Sequence, residues 1–258
     1  MQDYRSIAPV RLLSRSAKTM KDAVYYLPIV TTVVSAVFTL LIFQRWRERG
    51  RPGHLFWWGL GVAVFGIGTF FEGFTALFGW HAAVFRGWYI TGALLGGAPP
   101  AQGTVFLLLP RRTARWLAAA LVCYVAIAAV FVLLTPLDAS LTDDHKLAGD
   151  VIEWTWVRAF SPLVNTYAFV FLVGGAVASW ARYRREGNVR RSWANAFIAV
   201  GAVLPGIGGS FTRAGFTEVL YVTEFIGLLL IFAGYRLSIA PAAATSASER
   251  EPLTQAAV

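Results

Sequence analysis

Two carboxylates lie inside otherwise apolar stretches of this sequence. Glu72 is the one charged residue between positions 55 and 80, and Glu224 lies within the apolar stretch 219–237. Because an ionisable side chain is costly inside a bilayer, such a residue indicates a functional site by default. A carboxylate in this setting can exchange a proton, or it can hold a cation or a small solute.

Three further residues are expected at the same level of the membrane. Arg86 and Arg213 lie where neighbouring apolar stretches begin or end, and Tyr89 lies close to that level. We therefore predict a ligand-binding site made of Glu72, Arg86, Tyr89, Arg213 and Glu224. The alternative is structural, since Arg86 or Arg213 would then form an ion pair with a carboxylate and hold two helices together.

Seven apolar stretches must position these residues, and each is long enough to cross a bilayer as a helix. Hydrophobic residues make up 57% of the chain and charged residues only 14%, against about 25% charged in a soluble domain. The stretches cover 23–43, 55–79, 88–109, 115–135, 160–181, 193–212 and 219–237. We predict an all-α integral membrane bundle of seven transmembrane helices over 23–237. A basic segment, 1–22, precedes it and a disordered tail, 238–258, follows it.

The arginines predict the orientation of this bundle. They cluster in the loops after the first, third and fifth stretches, and such clusters face the cytoplasm. The N-terminus is therefore expected outside and the C-terminus inside, in a bacterial inner or plasma membrane. The basic segment 1–22 opposes this orientation. Either translation starts at Met20, or residues 5–20 lie along the membrane surface.

The stretch 55–79 carries two stripes of small residues at helical spacing. Gly59, Ala63, Gly66 and Gly73 form one stripe, whereas Gly61, Gly68, Glu72 and Thr75 form the other. Small residues let helices approach each other closely in lipid. Two stripes predict packing on two sides, which makes this helix central and turns Glu72 toward protein or a cavity.

Prolines interrupt two of the stretches. The third contains Pro99 and Pro100, followed by Gln102, and the sixth contains Pro205. Broken helices mark the binding sites of many transporters, but a proline kink is also tolerated where it serves packing. For Pro205 alone we favour packing, whereas for the Pro99–Pro100 pair with Gln102 both interpretations remain open.

A weak internal repeat is visible in three pairs of segments. The pairs are 27–32 with 161–166, 66–75 with 206–217, and 89–92 with 221–224. They predict two parallel three-helix units joined by the fourth stretch. In architecture only, the chain resembles the three-plus-one-plus-three layout of SWEET sugar transporters and microbial rhodopsins, and it is similar to uncharacterised bacterial seven-helix membrane proteins. The seventh stretch has no lysine for a retinal Schiff base, which argues against a retinal pigment.

Several classes of function find no support in the sequence. The three histidines show no metal-ligand spacing, and no catalytic nucleophile motif or nucleotide-binding loop is present, so we predict no metal and no cofactor. Whether the protein is an enzyme stays open, although the sequence does not favour it. The net charge of +9 lies mainly in short loops between apolar stretches, which argues against a nucleic-acid partner.

The lipid bilayer and a small solute or ion are the expected partners. We predict binding or transport of that solute or ion through an outward-facing polar pocket. The alternative is a sensory or receptor-type membrane protein that signals to a cytoplasmic partner, whose identity the sequence does not indicate.

Overall fold

The computed structural model describes residues 23–142 and 147–240. The α-helices are α1 (Leu27–Glu48), α2 (Gly53–Phe78), α3 (Ala82–Trp88), α4 (Ala98–Leu108), α5 (Arg111–Leu134), α6 (Phe160–Ala168), α7 (Gly174–Arg185), α8 (Val189–Arg213) and α9 (Thr217–Ile239). Two π-helical segments, Tyr89–Leu94 and Phe169–Val173, continue α3 and α6. The predicted segment 1–22 and most of the predicted tail lie outside the described residues.

Six helices in the described part of the chain are long and apolar enough to cross a membrane. They are α1, α2, the continuous helical run Thr155–Arg185, α5, α8 and α9. This confirms the prediction of an all-α, multi-pass membrane protein. The third predicted stretch, 88–109, does not form one long helix, because a turn at residues 95–97 separates the π-helical segment from α4. A seventh crossing and the orientation of the termini stay predictions.

The helices follow one another as packing neighbours in a ring. The order is α1, α2, the α3–α4 segment, the α6–α7 segment, α8 and α9, which packs back against α1. Helix α5 packs outside this ring, mainly on the α3–α4 segment. At one end of the bundle, here called the arginine-rich end, α1, α4, α7 and α9 finish and α2, α5 and α8 begin. The other end is called the opposite end.

Helix α2 packs on two sides through its glycines, as its sequence predicted. The glycines on one side are Gly59, Gly66 and Gly73. A Cβ atom built on any of them would lie 3.0 Å or less from an α1 side chain. On the other side, a Cβ atom on Gly61 would overlap Pro100 of α4, and one on Gly68 would lie 3.4 Å from Gly92. Both stripes of small residues are therefore confirmed as helix contacts.

Helices α8 and α9 approach each other even more closely. A Cβ atom on Gly201 would lie 2.6 Å from the carbonyl oxygen of Gly227, and one on Gly234 would lie 2.5 Å from that of Ala194. Pro205 lacks the N–H that would bond the Gly201 carbonyl within α8, and its ring packs beside Gly227. The sequence predicted an interruption at Pro205, but α8 runs through this residue without a break. Pro205 lies at a crossing where the two backbones nearly touch.

The loop after α5 folds over α3 at the opposite end. The Asp138 N–H donates to the Val151 carbonyl at 2.9 Å, and Leu137 pairs with Ile152 in an isolated antiparallel bridge. Val151 and Ile152 are buried against the aromatic residues of α3, while the carboxylates at positions 150 and 153 point outward. The hydroxyl and the N–H of Ser140 both donate to the Asp138 carboxylate. These hydrogen bonds, above all the one from the hydroxyl, lower the pKa of the Asp138 carboxyl.

Gly201→Ala should lower the free energy of unfolding by about 1–3 kcal/mol, because the new methyl group has to push apart two backbones in contact. The matched control is Gly209→Ala on the same helix, where nothing lies within 4 Å of the added Cβ. That change should be neutral or stabilising by up to about 1 kcal/mol. Thermal unfolding in lipid nanodiscs measures both, and equal melting temperatures for the two variants would refute the close α8–α9 contact.

Candidate functional site

The structure brings Glu72 of α2 and Glu224 of α9 together. Their carboxyl groups lie next to each other and interact directly. Glu72 lies six residues before the end of α2, and Glu224 lies seven residues after the start of α9. At 1.5 Å per residue, both are about 10 Å from the opposite end. Since α2 and α9 both pack against α1, the pair lies where these three helices meet.

One oxygen atom of each carboxyl group is buried and has no hydrogen-bond partner among the described residues. These atoms are Oε2 of Glu72 and Oε2 of Glu224. The whole Glu72 side chain is buried, with only 3% of the residue exposed. A buried polar atom without a partner is rare, because it costs about 1–3 kcal/mol. Two such atoms on neighbouring carboxyl groups mark a place where a proton or an ion can bind.

Trp88 holds the other oxygen of Glu72. Its indole N–H donates to Glu72 Oε1 over 2.9 Å, and the contact is buried. The sequence analysis did not include Trp88 among the predicted site residues. Its position in the sequence was the available signal. Trp88 ends α3, which follows α2 after a tight turn and runs back along it toward the level of Glu72.

A row of polar side chains leads from the Glu72–Glu224 pair to the opposite end of the bundle. Tyr221 is 2% exposed and lies within electrostatic range of both Glu72 and Glu224. Its ring packs edge-on against that of Tyr25, with 6.1 Å between the centroids. The Tyr25 hydroxyl donates to Glu218 at 2.7 Å, and Glu218 lies in the first turn of α9.

Hydroxyl groups on α1 lead from the pair in the other direction. Thr32 and Thr69 share a hydrogen bond of 2.9 Å, and Thr69 lies three residues before Glu72 on the same face of α2. Further along α1, the hydroxyl oxygens of Ser35 and Thr39 are buried without a hydrogen-bond partner in the described part of the chain. These three α1 residues follow one another at spacings of three and four, so they share one face of the helix.

Arg86 and Tyr89 lie away from the two carboxylates. The Arg86 guanidinium donates to the carbonyls of Val132 and Thr135, the latter over 2.9 Å, and so caps the end of α5. The Tyr89 hydroxyl accepts a hydrogen bond of 3.4 Å from Ser161. Tyr89 also belongs to the hydrophobic cluster under the loop after α5. The backbone of Arg213 ends α8, but its side chain lies outside the described part of the structure.

The break in the third stretch lies directly before α4, and the residues that follow it take part in the packing of that helix. Pro99 and Pro100 occupy the first turn of this helix, where the missing N–H groups would have had no partner anyway. Gln102 is fully buried and ties three helices together. Its amide donates to the Ala114 carbonyl of α5 at 2.9 Å, and it accepts from the Tyr167 hydroxyl of α6. The π-helical turn before the break is a rare form that often lies at functional sites.

The described residues bring together no group of three His, Cys, Asp or Glu side chains that could hold a metal ion. Comparison of the chain with protein-family models, with curated proteins and with solved structures gave no match. The site itself has to supply the argument for function.

Arg86→Gln should lower the free energy of unfolding by about 1–3 kcal/mol, because it leaves two buried carbonyl groups without a donor. The matched control is Arg158→Gln, which removes the same charge from an exposed position at the same end and should cost less than about 0.5 kcal/mol. Thermal unfolding of both variants in nanodiscs is the measurement. If Arg158→Gln proved as costly as Arg86→Gln, the net charge of that end would explain the loss, and the cap would not.

Proposed function

We propose that this membrane protein binds a proton or a small monovalent cation at the Glu72–Glu224 pair and carries it across the membrane. The observation that carries the proposal is the contact of two carboxyl groups, each with a buried oxygen that lacks a partner. Intramembrane carboxylates of this kind serve as proton and ion sites in pumps and transporters.

Electrostatics supports an exchangeable occupant. Two carboxylates in contact repel each other strongly in a medium of low dielectric constant. Within the described residues, no arginine or lysine forms an ion pair with either of them, because Arg86 donates elsewhere. The pair is therefore stable only while it holds a proton or a cation. Loss of that occupant restores the repulsion, so binding and release change the forces between α2 and α9.

Polar side chains on both sides of the pair support transport. Toward the opposite end, the row of polar side chains consists of Tyr221, Tyr25 and Glu218. Toward the arginine-rich end, a second row lies on α1 and consists of Thr32, Ser35 and Thr39. A protein that only sensed an external ligand would need access from one side. Hydroxyl groups that continue past the pair favour a path through the bundle.

The proposal includes seven crossings, with the arginine-rich end in the cytoplasm of the cell. Helix α2 ends at the opposite end and α5 begins at the arginine-rich end, so residues 82–108 have to cover the same distance as their neighbours. These residues would span about 40 Å as a helix, which exceeds the hydrocarbon core of about 30 Å. The N-terminus would then lie outside and the C-terminus inside, in the three-plus-one-plus-three layout of SWEET transporters.

Glu72→Gln and Glu224→Gln should each reduce the flux of protons or monovalent cations into proteoliposomes to the level seen with empty liposomes. Either change removes a charge that the occupant needs. An internal pH dye follows protons under an imposed membrane potential, and ²²Na⁺ and ⁸⁶Rb⁺ uptake test monovalent cations. The control is Glu186→Gln, an exposed carboxylate paired with Arg182 at 3.7 Å, which should retain flux.

Two results would overturn the proposal that the Glu72–Glu224 pair carries the transported ion. One is wild-type flux in both carboxylate variants, shown to be folded by their melting temperatures. The other is cation binding by the wild-type protein without any flux, which would favour the sensory alternative.

Tyr25→Phe should slow the flux while leaving the cation affinity of the Glu72–Glu224 pair unchanged. The change removes the hydroxyl group that lies between Glu218 and Tyr221 in the row of polar side chains. Its control is Tyr26→Phe, an adjacent tyrosine that is 50% exposed and should behave like the wild type. Initial rates and half-saturation concentrations from the same proteoliposome experiment separate the two effects. A loss of affinity with unchanged maximal rate would contradict the proposed route.

A further inference from the structure

A partly polar cavity lies at the arginine-rich end, far along the bundle from the carboxylate pair. It has a volume of about 370 Å³ and lies between the end of α1, the start of α2 and the end of α9. Its lining residues are Arg45, Arg49, Pro52, His54, Leu55, Trp58, Tyr235, Ser238 and Ile239. The volume falls in the range of about 300–1,000 Å³ that is typical of ligand sites. Nothing in the proposed transport function requires this cavity.

The charge of the cavity is positive. Arg45 and Arg49 are four residues apart on α1 and therefore lie on one face. Neither forms an ion pair in the described part of the chain, and no carboxylate lines the cavity. The nearest acid, Glu48, is exposed and accepts a hydrogen bond of 3.0 Å from Gln44. Two guanidinium groups thus face the cavity with free donors.

The other lining groups favour an anion as well. Helix α2 begins at Gly53, and no side chain caps its first turn. The N–H groups of that turn lack helical partners and carry the positive end of the helix dipole. The His54 ring, beside Trp58, brings one further hydrogen-bonding group from α2. Planar guanidinium forks match the oxygens of a phosphate group especially well.

Apolar surface adjoins the cavity. Leu55, Trp58 and Ile239 form its apolar lining, and the neighbouring Phe56 is 39% exposed on the outer surface of α2. Arg51 stacks over the Trp46 ring at 5.6 Å from its centroid, an arrangement typical of a membrane interface. A ligand with a charged head and an apolar chain would satisfy both surfaces.

We propose that this cavity binds a phosphate group that is presented by the headgroup of an anionic phospholipid. Arg45 and Arg49 bind the phosphate oxygens, the first turn of α2 faces the same charge, and the acyl chains lie along the apolar surface of α1 and α2. Basic pockets between membrane helices bind anionic headgroups in this way.

Isothermal titration calorimetry on the full chain in detergent tests the proposal. The probes are short-chain phosphatidylglycerol, short-chain phosphatidylcholine and inorganic phosphate. We expect saturable binding of phosphatidylglycerol that is at least about tenfold weaker in Arg45→Gln/Arg49→Gln, since charged hydrogen bonds are lost. The control is Arg111→Gln/Arg112→Gln, which removes two exposed charges from the same end and should leave the affinity unchanged.

Three outcomes would overturn the assignment. An equal loss in the two double variants would show general attraction to a positive surface. Equal affinity for phosphatidylcholine would show that the anionic character of the headgroup does not matter. Competition by inorganic phosphate at matching concentration would assign the cavity to free phosphate. Glu72→Gln should bind phosphatidylglycerol like the wild type, so this test and the flux test fail or succeed separately.

Discussion

Close approach of helix backbones is the constraint on which the rest of this structure depends. Apolar side chains gain little from leaving a lipid environment, so membrane helices associate through contact and hydrogen bonding. Glycines allow that contact on both sides of α2 and between α8 and α9. A bulky residue at these positions would separate α2 from α1 and from α3. The glycine contacts therefore bring Trp88 within reach of Glu72, and the position of α9 beside α1 brings Glu224 to the same point.

Several polar side chains in the described part of the bundle hold helices together. Gln102 bonds groups of α5 and α6, Arg86 caps α5, and Trp88 bonds Glu72. The carboxylate pair differs because it keeps an unsatisfied oxygen on each side of the contact. An amide or hydroxyl pair would tie α2 to α9 without that cost. Under the proposed function, a bound proton or cation supplies the partner that these oxygens lack.

Periodicity and counting predicted the parts of this site that depend on a single helix. The two glycine stripes of α2 follow from 3.6 residues per turn, and the shared depth of Glu72 and Glu224 follows from their distance to the helix ends. Contacts between distant elements were beyond such reasoning. The partners of Arg86 are backbone carbonyls at the end of α5, which no side-chain pattern reveals. The turn at 95–97 was visible as Gly-Gly before two prolines, but how its ends pack depends on α2, α5 and α6.

The interfaces around α9 differ in kind, and this difference bears on movement. Helices α8 and α9 meet backbone to backbone, so little space separates them. Helix α9 meets α1 through side chains, including the aromatic contacts of Phe38 with Phe232 and Tyr235 and of Tyr25 with Tyr221. The Glu72–Glu224 pair lies beside this side-chain interface, between α2 and α9. A change in its charge therefore acts between α2 and the α8–α9 unit, where little backbone contact resists it. A ligand shifts a conformational equilibrium only by its differential affinity for the two states. Under the proposed function, repulsion between the two carboxylates supplies that difference when the occupant leaves.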